Sequence, residues 1–384
     1  MSYRSSLLRW PGAVELPGHS LIDASGVAFH YGEPLSEQRH LGERPALVDR
    51  SHRSVVSVSG PDAAPFLNNL LSQKLIEVVP GFAASALDLD MQGHILHHVD
   101  VSYDGEAFYL DMPSGQRESL VAFLTAMVFW SEVTITETDL AIMTVLAPGS
   151  GTQGPGGSDP VPGDPVLSKV LADGVFADAV YQRDVAWCAN TARTDVAVPR
   201  DQVTDVAEKF VRAGGDLAGL MAFTAQRVRV GEPELAADLD AKSIPHEVPR
   251  LIGRGEHPHV LSGAVHLNKG CYRGQETVAR VENLGRSPRL LVMLQLDGSA
   301  PTEPAPGAAI TAGGRTVGRL GTVVHDVDYG PIALGLVKRS ALAGPLDIDG
   351  VAASVDPDSL PAAEGEQAGR RAVEHLRRGL GPED

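Results

Sequence analysis

The chain of 384 residues contains only two cysteines, Cys188 and Cys271. Two thiols cannot form a disulfide framework, and they cannot supply all the ligands of a four-cysteine zinc site or iron–sulfur cluster. No apolar run reaches the length of a membrane-spanning helix, and prolines interrupt the N-terminal segment that contains two arginines. We therefore expect a cytoplasmic protein with no stable metal of its own and no membrane contact.

Basic residues are scarce relative to acidic ones. The chain has 32 Lys and Arg against 49 Asp and Glu, which gives a formal net charge of −17 at pH 7. A negative potential of this size repels phosphate backbones, so direct nucleic-acid binding is not expected. The glycine-rich stretches at 149–157 and 313–321 lack the Lys-Ser/Thr ending of a phosphate-binding loop, and neither predicts a nucleotide site.

Apolar residues, at 43% of the chain, are spaced as in an α+β protein. The valines at 55–58 suit a strand, and Asp62 is a candidate cap for a helix that presents Phe66 and Leu67 on one stripe. Tight turns at 92–93 and 104–105 then separate segments with the alternation of antiparallel strands. A first α+β lobe follows from this order.

A similar pattern recurs later in the chain. It includes a strand near 185–189, a candidate helix cap at Asp201 and a helix near 219–228. From Pro288 onward, short strands alternate with Gly and Pro turns, which predicts a small β-barrel.

The predicted organisation has five parts. They are a first α+β lobe at 25–145, a Gly/Pro-rich insertion with linker at 146–175, a second α+β lobe at 176–286, a β-barrel at 287–355 and a flexible tail at 356–384.

Cys271 is the strongest candidate for chemistry. It lies between Gly270 and Gly274, and Lys269 and Arg273 flank it. Positive neighbours favour a thiolate over a thiol, which would make a partly exposed sulfur reactive. The alternative is a cysteine that packs as a small apolar residue.

The string KGCYRGQE at 269–276 resembles the K-G-C-Y-x-G-Q-E signature of the YgfZ family. Four further strings of this chain also appear in that family's order. They are GPDA at 60–63, the QG turn at 92–93, GEPE at 231–234 and IPHE at 244–247. The resemblance covers roughly residues 25–355.

This resemblance implies a fold like the T-protein of the glycine cleavage system. That fold has two ferredoxin-like or Greek-key α+β lobes and a C-terminal β-barrel, arranged as a three-domain ring around a folate channel. The family is implicated in sustaining iron–sulfur enzymes, including radical enzymes that thiomethylate tRNA. The implied cofactor is tetrahydrofolate or a derivative, and the implied partners are iron–sulfur client enzymes or assembly factors.

The resemblance places the functional thiol at Cys271, the residue that aligns with the family's signature cysteine. The folate-contacting residues that we predict are Lys269, Gly270, Tyr272, Gly274, Gln275, Glu276, Arg280 and Arg227.

Two departures argue against the T-protein's own aminomethyl transfer. The G-G-x-x-D-D-like turn of T-proteins corresponds to residues 93–98, where His97 and His98 replace both aspartates. Histidine is a weaker, switchable base near neutral pH. In the R-x-E-x-G-like stretch, Arg229 replaces the glutamate that would accept hydrogen bonds from the pterin. A tetrahydrofolate-dependent aminomethyltransferase or methyltransferase is therefore the alternative function.

Two clusters of side chains have competing interpretations. His97 and His98 are adjacent on a predicted strand and point to opposite faces, so with His94 they do not predict a metal site. Three arginines after the signature either attract a folate glutamate tail or form a solvated strand pair with Glu276 and Glu282. These arginines are Arg280, Arg286 and Arg289.

The role of Cys271 stays open between a ligand of a cluster shared with a partner, a nucleophile toward a one-carbon unit, and a redox sensor. A third function class is a plain scaffold in which Cys271 only packs. Cys188 lies in an apolar run and is predicted to be buried.

Overall fold

The computed structural model describes residues 3–16, 21–148, 174–185, 187, 191–253 and 263–361. These residues form two α+β lobes and a closed β-barrel, which confirms the predicted fold class. Cys188, most of the predicted insertion and most of the predicted tail lie outside the described residues.

The first lobe contains a five-stranded antiparallel sheet, which we call the first sheet. Its strands are β2 Ser54–Ser59, β3 Phe82–Leu89, β4 Ile95–Tyr103, β5 Ala107–Met112 and β6 Thr134–Glu137, in the order β3-β4-β5-β2-β6. The predicted turns at 92–93 and 104–105 join β3 to β4 and β4 to β5, as expected.

One face of the first sheet packs against helices α2 Ala63–Leu70 and α3 Ser114–Met127. Alternation along β4 explains this, because Val99 and Val101 point to the helices and are almost fully buried. The predicted cap at Asp62 is wrong in detail. Its side chain makes no capping bond to α2 and instead accepts a hydrogen bond from the backbone N–H of Glu132 at 2.8 Å.

The second lobe contains another five-stranded sheet, which we call the second sheet. Its strands are β1 Ala46–Asp49, β7 Leu140–Pro148, β8 Tyr181–Asp184, β9 Thr191–Pro199 and β10 Asp216–Ala218, in the order β10-β1-β7-β9-β8. The pair β1–β10 is parallel and the remaining pairs are antiparallel.

The sheets do not follow the predicted boundary at residue 145. Strand β1 and most of β7 lie inside the predicted first lobe, 25–145, but pair with strands of the second lobe. All four residues of β1 are buried, as expected for a strand covered on both faces. Sequence order cannot reveal this exchange, because it depends on pairing between distant segments.

Five further helices complete the described lobes. They are α1 Pro34–His40, α4 Val203–Arg212, α5 Leu220–Arg229, α6 Leu235–Asp238 and α7 Gln275–Leu284. Helix α5 confirms the prediction near 219–228. Asp201 does not cap α4, because it lies within a short 3-10 turn that precedes the helix.

Helix α7 follows Cys271 and was not predicted. Its apolar pattern is weak, since Val278 is its one nearly fully buried apolar residue among those described. The strands β11 Ile252–Gly253 and β12 Val265–His266 pair in parallel just before it in the chain.

The C-terminal strands close into a six-stranded barrel, as predicted. They are β13 Arg289–Leu296, β14 Ala309–Ala312, β15 Arg315–Asp326, β16 Gly330–Lys338, β17 Leu346–Ile348 and β18 Val351–Val355. In the described part of the chain, we find no helix with the length and apolarity needed to span a bilayer.

Candidate functional site

Cys271 lies in the segment between β12 and α7, which we call the cysteine loop (residues 269–274). Its side chain is exposed, so the interpretation of a packed apolar cysteine does not apply. The adjacent Tyr272 is buried in a core to which both lobes and the barrel contribute. Burial raises the pKa of Tyr272 to about 12. The loop therefore presents a thiol to solvent from an anchored backbone.

Lys269 fastens the start of the cysteine loop to α2. Its ammonium group donates hydrogen bonds to the carbonyl oxygens of Asn68, Leu71 and Gln73, where the helix ends. It also lies 4.9 Å from the centre of the Tyr272 ring, and burial lowers its pKa to about 8. An ammonium has three donor hydrogens. A folate contact by Lys269 would therefore require the loss of one of these bonds.

Two glycines bring the cysteine loop against the hairpin between β3 and β4. Gly274 has φ +80°, and a Cβ there would lie 2.6 Å from the carbonyl oxygen of Asp90. Gly93 has φ +81°, and its Cβ would lie 2.9 Å from the Cβ of Thr277. Only glycine tolerates both the positive φ and this approach. Two separate strings of the family resemblance thus meet here.

A chain of hydrogen bonds runs from the cysteine loop to α3. Arg273 Nη2 lies 2.5 Å from Asp88 Oδ1, and the guanidinium stacks 4.4 Å from the Phe123 ring centre. The other carboxylate oxygen of Asp88 lies 2.8 Å from His97 Nδ1, and His97 Nε2 lies 2.8 Å from Ser119 Oγ. Arg273 is therefore paired with Asp88, so its charge does not act on the thiol of Cys271 alone.

The predicted separation of His97 and His98 is confirmed. His97 faces α3, whereas the ring of His98 points to the interior, where burial lowers its pKa and the charge of Asp100 opposes that shift. His94 instead pairs with Asp90 at 2.8 Å. Across the described ranges, no group of three His, Cys, Asp or Glu side chains is arranged to hold a metal ion.

The remaining predicted contacts after Cys271 lie on α7 and the barrel. Glu276 and Arg280 form an exposed pair one helical turn apart, at 2.7 Å, which replaces the strand pair considered above. Arg289 forms a forked pair with Glu247 at 2.7 and 2.9 Å. Gln275 begins α7 directly after the loop.

The space between the two sheets is filled by a buried cluster of arginines and carboxylates. Its members are Arg50, Arg53, Arg183, Arg193, Asp100, Asp111, Asp195 and Glu232. Asp195 and Asp111 are completely buried. Burial opposes ionisation of Asp195, but Arg193, Arg50 and Arg183 together hold its pKa well below the usual range. The family resemblance led us to expect a folate channel in the middle of the molecule.

A small cavity borders this cluster, and we call it the interior cavity. Its charged and imidazole lining comprises Asp23, Arg50, His52, Arg53, Arg227 and Glu234. Ile22, Leu220 and Phe223 supply apolar walls. Its free volume is about 20 Å³, which is room for roughly one or two water molecules.

Arg227 lines this cavity, whereas Arg229 does not. Arg227 Nη1 lies 2.6 Å from Asp238 Oδ2, and its Nη2 lies 3.4 Å from Glu234 Oε2. Arg229 instead binds Asp326 of the barrel strand β15 through a forked pair with N–O distances of 2.6 and 2.5 Å. Two residues apart on α5, the side chains point to different surroundings. The replacement of a glutamate by Arg229 therefore stabilises the contact between lobe and barrel.

The structure separates the predicted site residues into two groups. Arg227 lines the interior cavity, and none of residues 269–289 is among its lining residues. Sequence reasoning missed Arg50, His52 and Glu234 in the cavity, and Asp88 beside Arg273. The charged string DRSHR at 49–53, which begins at the last residue of β1, is a signal that could have identified the cavity.

The comparison with protein families is specific to the barrel. A family model described as CAF17, C-terminal beta-barrel domain, matches residues 289–362. This range begins at the first residue of β13 and continues past the end of β18, so the matched segment contains the complete closed barrel.

Several curated proteins with similar sequences are aminomethyltransferases. The protein from Francisella philomiragia is 25% identical over 237 residues, which cover 59% of this chain and 64% of the relative, just under two thirds. One from Stenotrophomonas maltophilia strain K279a is 28% identical over 343 residues, 86% of this chain and 87% of the relative.

Among solved structures, glycine cleavage system aminomethyltransferase T from Bartonella henselae has a similar fold. Its TM-score is 0.72 at 19% identity, and the match covers 92% of this chain and 96% of that one. The fold and the relatives resemble those of T-protein-like proteins, and the barrel is similar to the C-terminal β-barrel domain of CAF17.

Proposed function

We propose that this chain is a folate-binding-type accessory protein for the maturation or repair of iron–sulfur proteins, and that it acts through Cys271. The observation on which this depends is an exposed thiol on a loop whose neighbouring residues are anchored. An exposed sulfur with a fixed backbone is suited to contact with another macromolecule, because little entropy is lost when the partner binds. The partners would be iron–sulfur client enzymes or assembly factors.

Three chemistries suit the thiol. It would serve as one ligand of a cluster shared with a partner, as a nucleophile toward a one-carbon unit, or as a redox sensor. All three require an accessible sulfur, which distinguishes them from the scaffold interpretation. In a scaffold, Cys271 would be replaceable without loss of function.

Tetrahydrofolate is the proposed cofactor, and it supplies one-carbon carrier chemistry when bound. Of the predicted folate contacts, Arg227 is the one that lines the interior cavity. Guanidinium groups pair with carboxylates through a planar fork. The cavity is too small for folate, and Arg227 already donates to Asp238, Glu234 and Thr322. As they stand, the residues of this cavity do not fit folate, and Arg227 would have to give up one of these bonds to hold it.

The proposal is tested in a strain that lacks the gene and receives a Cys271→Ser copy. We expect the activity of an iron–sulfur enzyme such as aconitase, or of a tRNA methylthiotransferase, to fall under oxidative stress while the protein remains abundant. Arg117→Gln is the control, because Arg117 lies on the surface in an exposed pair with Glu137. Full rescue by Cys271→Ser would refute the thiol mechanism.

Aminomethyl transfer is the second candidate function, because the relatives are named aminomethyltransferases. The arrangement near His98 is less favourable to it. Asp100 is the nearby carboxylate, and although burial opposes its ionisation, Arg183 and Arg53 hold its pKa well below the usual range. It is a poor proton acceptor for that reason. A tetrahydrofolate-dependent assay for release of ammonia or methylamine tests this candidate, and turnover would favour it.

A further inference from the structure

Three side chains of α3, β4 and β3 form a line of hydrogen bonds in the first lobe. The Oγ of Ser119 lies 2.8 Å from Nε2 of His97, and Nδ1 of His97 lies 2.8 Å from Oδ2 of Asp88. These are the distances expected between a nucleophile, its base and the group that orients the base. We call Ser119, His97 and Asp88 the serine cluster.

The aspartate determines which nitrogen of His97 carries the proton. Asp88 is 1% exposed, and its other oxygen accepts a hydrogen bond from Arg273 at 2.5 Å. A carboxylate only accepts, so Nδ1 of His97 is the donor, and Nε2 of the neutral ring accepts from the Ser119 hydroxyl. The carbonyl oxygen of Gln116, at 3.1 Å, is the more distant acceptor for that hydroxyl.

Ser119 is accessible from solvent, whereas its base is not. Ser119 is exposed, and His97 is only 7% exposed. A hydroxyl that contacts an oriented imidazole is a better nucleophile than an ordinary serine, because the imidazole takes its proton as the new bond forms. The serine cluster therefore combines an accessible nucleophile with a protected base.

The surroundings of Ser119 favour a single transfer over repeated hydrolysis. Ser119 is the sixth residue of α3, so its backbone N–H is bonded within the helix. Serine hydrolases depend on free N–H groups that stabilise the negative oxygen of the reaction intermediate. The interior of a helix does not supply such groups. An acyl group attached to Ser119 should therefore leave slowly.

We propose that Ser119 is a nucleophile that accepts an acyl group from activated esters, of which thioesters are the donor class. The Oγ of Ser119 forms a bond with the acyl carbon, and the bond from that carbon to sulfur breaks, with its electron pair remaining on the sulfur. The hydroxyl proton moves to Nε2 of His97 and from there to the leaving sulfur, which departs as a thiol. Phe123, one turn along the same face of α3, is half-buried and would contact a short acyl chain.

Two reagents test this proposal on the full chain. p-Nitrophenyl acetate should release a burst of about one nitrophenolate per chain, followed by slow turnover. Mass spectrometry should then locate an acetyl group on Ser119. A fluorophosphonate should label the same residue, because the serine oxygen attacks phosphorus and fluoride leaves. Cys271→Ser protein is measured beside the wild type, since an exposed thiol also reacts with activated esters.

Variants assign the roles within the serine cluster. Ser119→Ala should abolish the fluorophosphonate labelling at this position, and His97→Gln should slow labelling by about 100-fold or more, as expected when a general base is lost. Asp88 is a positioning residue, so Asp88→Asn should slow labelling and Asp88→Glu should recover part of the rate. Thermal unfolding of each variant shows whether the fold is retained.

Ser299 is a matched control within the same chain. It is exposed, and its Oγ lies 2.8 Å from the carboxylate of Asp297, whereas no imidazole bonds to it in the described part of the chain. Ser299→Ala should leave the labelling unchanged. Equal labelling of Ser119 and Ser299 in the wild type, or a folded His97→Gln protein labelled at the wild-type rate, would overturn the proposal. Cys271→Ser should be labelled normally, so this inference and the proposed function fail separately.

Discussion

The cysteine loop and the interior cavity differ in which group is exposed. Both are held by hydrogen bonds and ion pairs of buried side chains, but the loop exposes its thiol and the cavity does not expose its charges. In the loop, Lys269 and Tyr272 bury their polar or aromatic groups while Cys271, between them, stays exposed. In the cavity, Arg50 is itself buried and Glu234 is half-buried. The loop thus exposes its thiol to solvent, whereas the charged side chains of the cavity are largely turned inward.

The two regions also differ in how many contacts each side chain contributes to stability. In the cluster beside the cavity, Asp100, Asp111 and Asp195 are each shared between two or three arginines, so removal of one member leaves other buried charges unpaired. The cysteine loop depends on single contacts, such as Gly274 against Asp90. We therefore expect substitutions in the cluster to affect global stability, and substitutions in the loop to affect mainly the thiol.

The largest expected effect is that of Asp195→Asn. This carboxylate lies between Arg50, Arg183 and Arg193, so its loss should lower the free energy of unfolding by about 3–5 kcal/mol in urea denaturation. The exposed Asp205→Asn, in a pair with Lys209 on α4, should change it by less than about 0.5 kcal/mol. Equal effects of the two substitutions would show that the buried cluster contributes no more to the free energy of unfolding than an exposed ion pair.

Gly274→Ala should have the next largest effect. It should lower the free energy of unfolding by about 1–3 kcal/mol, because an alanine must adopt a positive φ and displace the backbone near Asp90. The rate of alkylation of Cys271 should change as well, since the loop has to move. Gly270→Ala is the control within the same loop and should alter neither measurement. A stable Gly274→Ala protein with unchanged thiol reactivity would contradict the proposed anchoring.

Glu234 should make the free energy of unfolding depend on pH in the acidic range. Its pKa in the folded protein is about 6 against an ordinary value of 4.5, so the folded state binds the extra proton between these values. The free energy of unfolding should therefore fall as pH rises, by about 1 kcal/mol between pH 5 and pH 7 relative to Glu234→Gln. Parallel profiles for the two proteins would refute this.

The smallest expected effect concerns the hydrogen-bond chain behind the loop. His97→Gln should loosen Asp88 and, through it, Arg273, and change the alkylation rate of Cys271 by about two- to five-fold, which is under 1 kcal/mol. His94→Gln removes a histidine that pairs elsewhere and should leave the rate unchanged. Identical rates in both variants would show that the chain does not position the thiol.

Local pattern was sufficient for much of the fold. Strand alternation, the turn at 92–93 and the Gly/Pro-punctuated strands after Pro288 predicted the first lobe and the barrel, because these signals act over a few residues. The predicted helix caps at Asp62 and Asp201 are wrong. Asp62 accepts a hydrogen bond from Glu132 instead, and Asp201 lies in a 3-10 turn before the helix. Helix α7 was missed because its buried face is small.

The sequence by itself determined the fold class and singled out Cys271, because a rare string and short-range periodicity are both readable along the chain. Only the tertiary structure decided that Lys269 and Arg273 are engaged by Leu71 and Asp88, and that Arg227 and Arg229 face different surroundings. Those outcomes depend on which distant segments meet. Pairing over a hundred or more residues leaves no local signal, since it is set by packing of the whole chain.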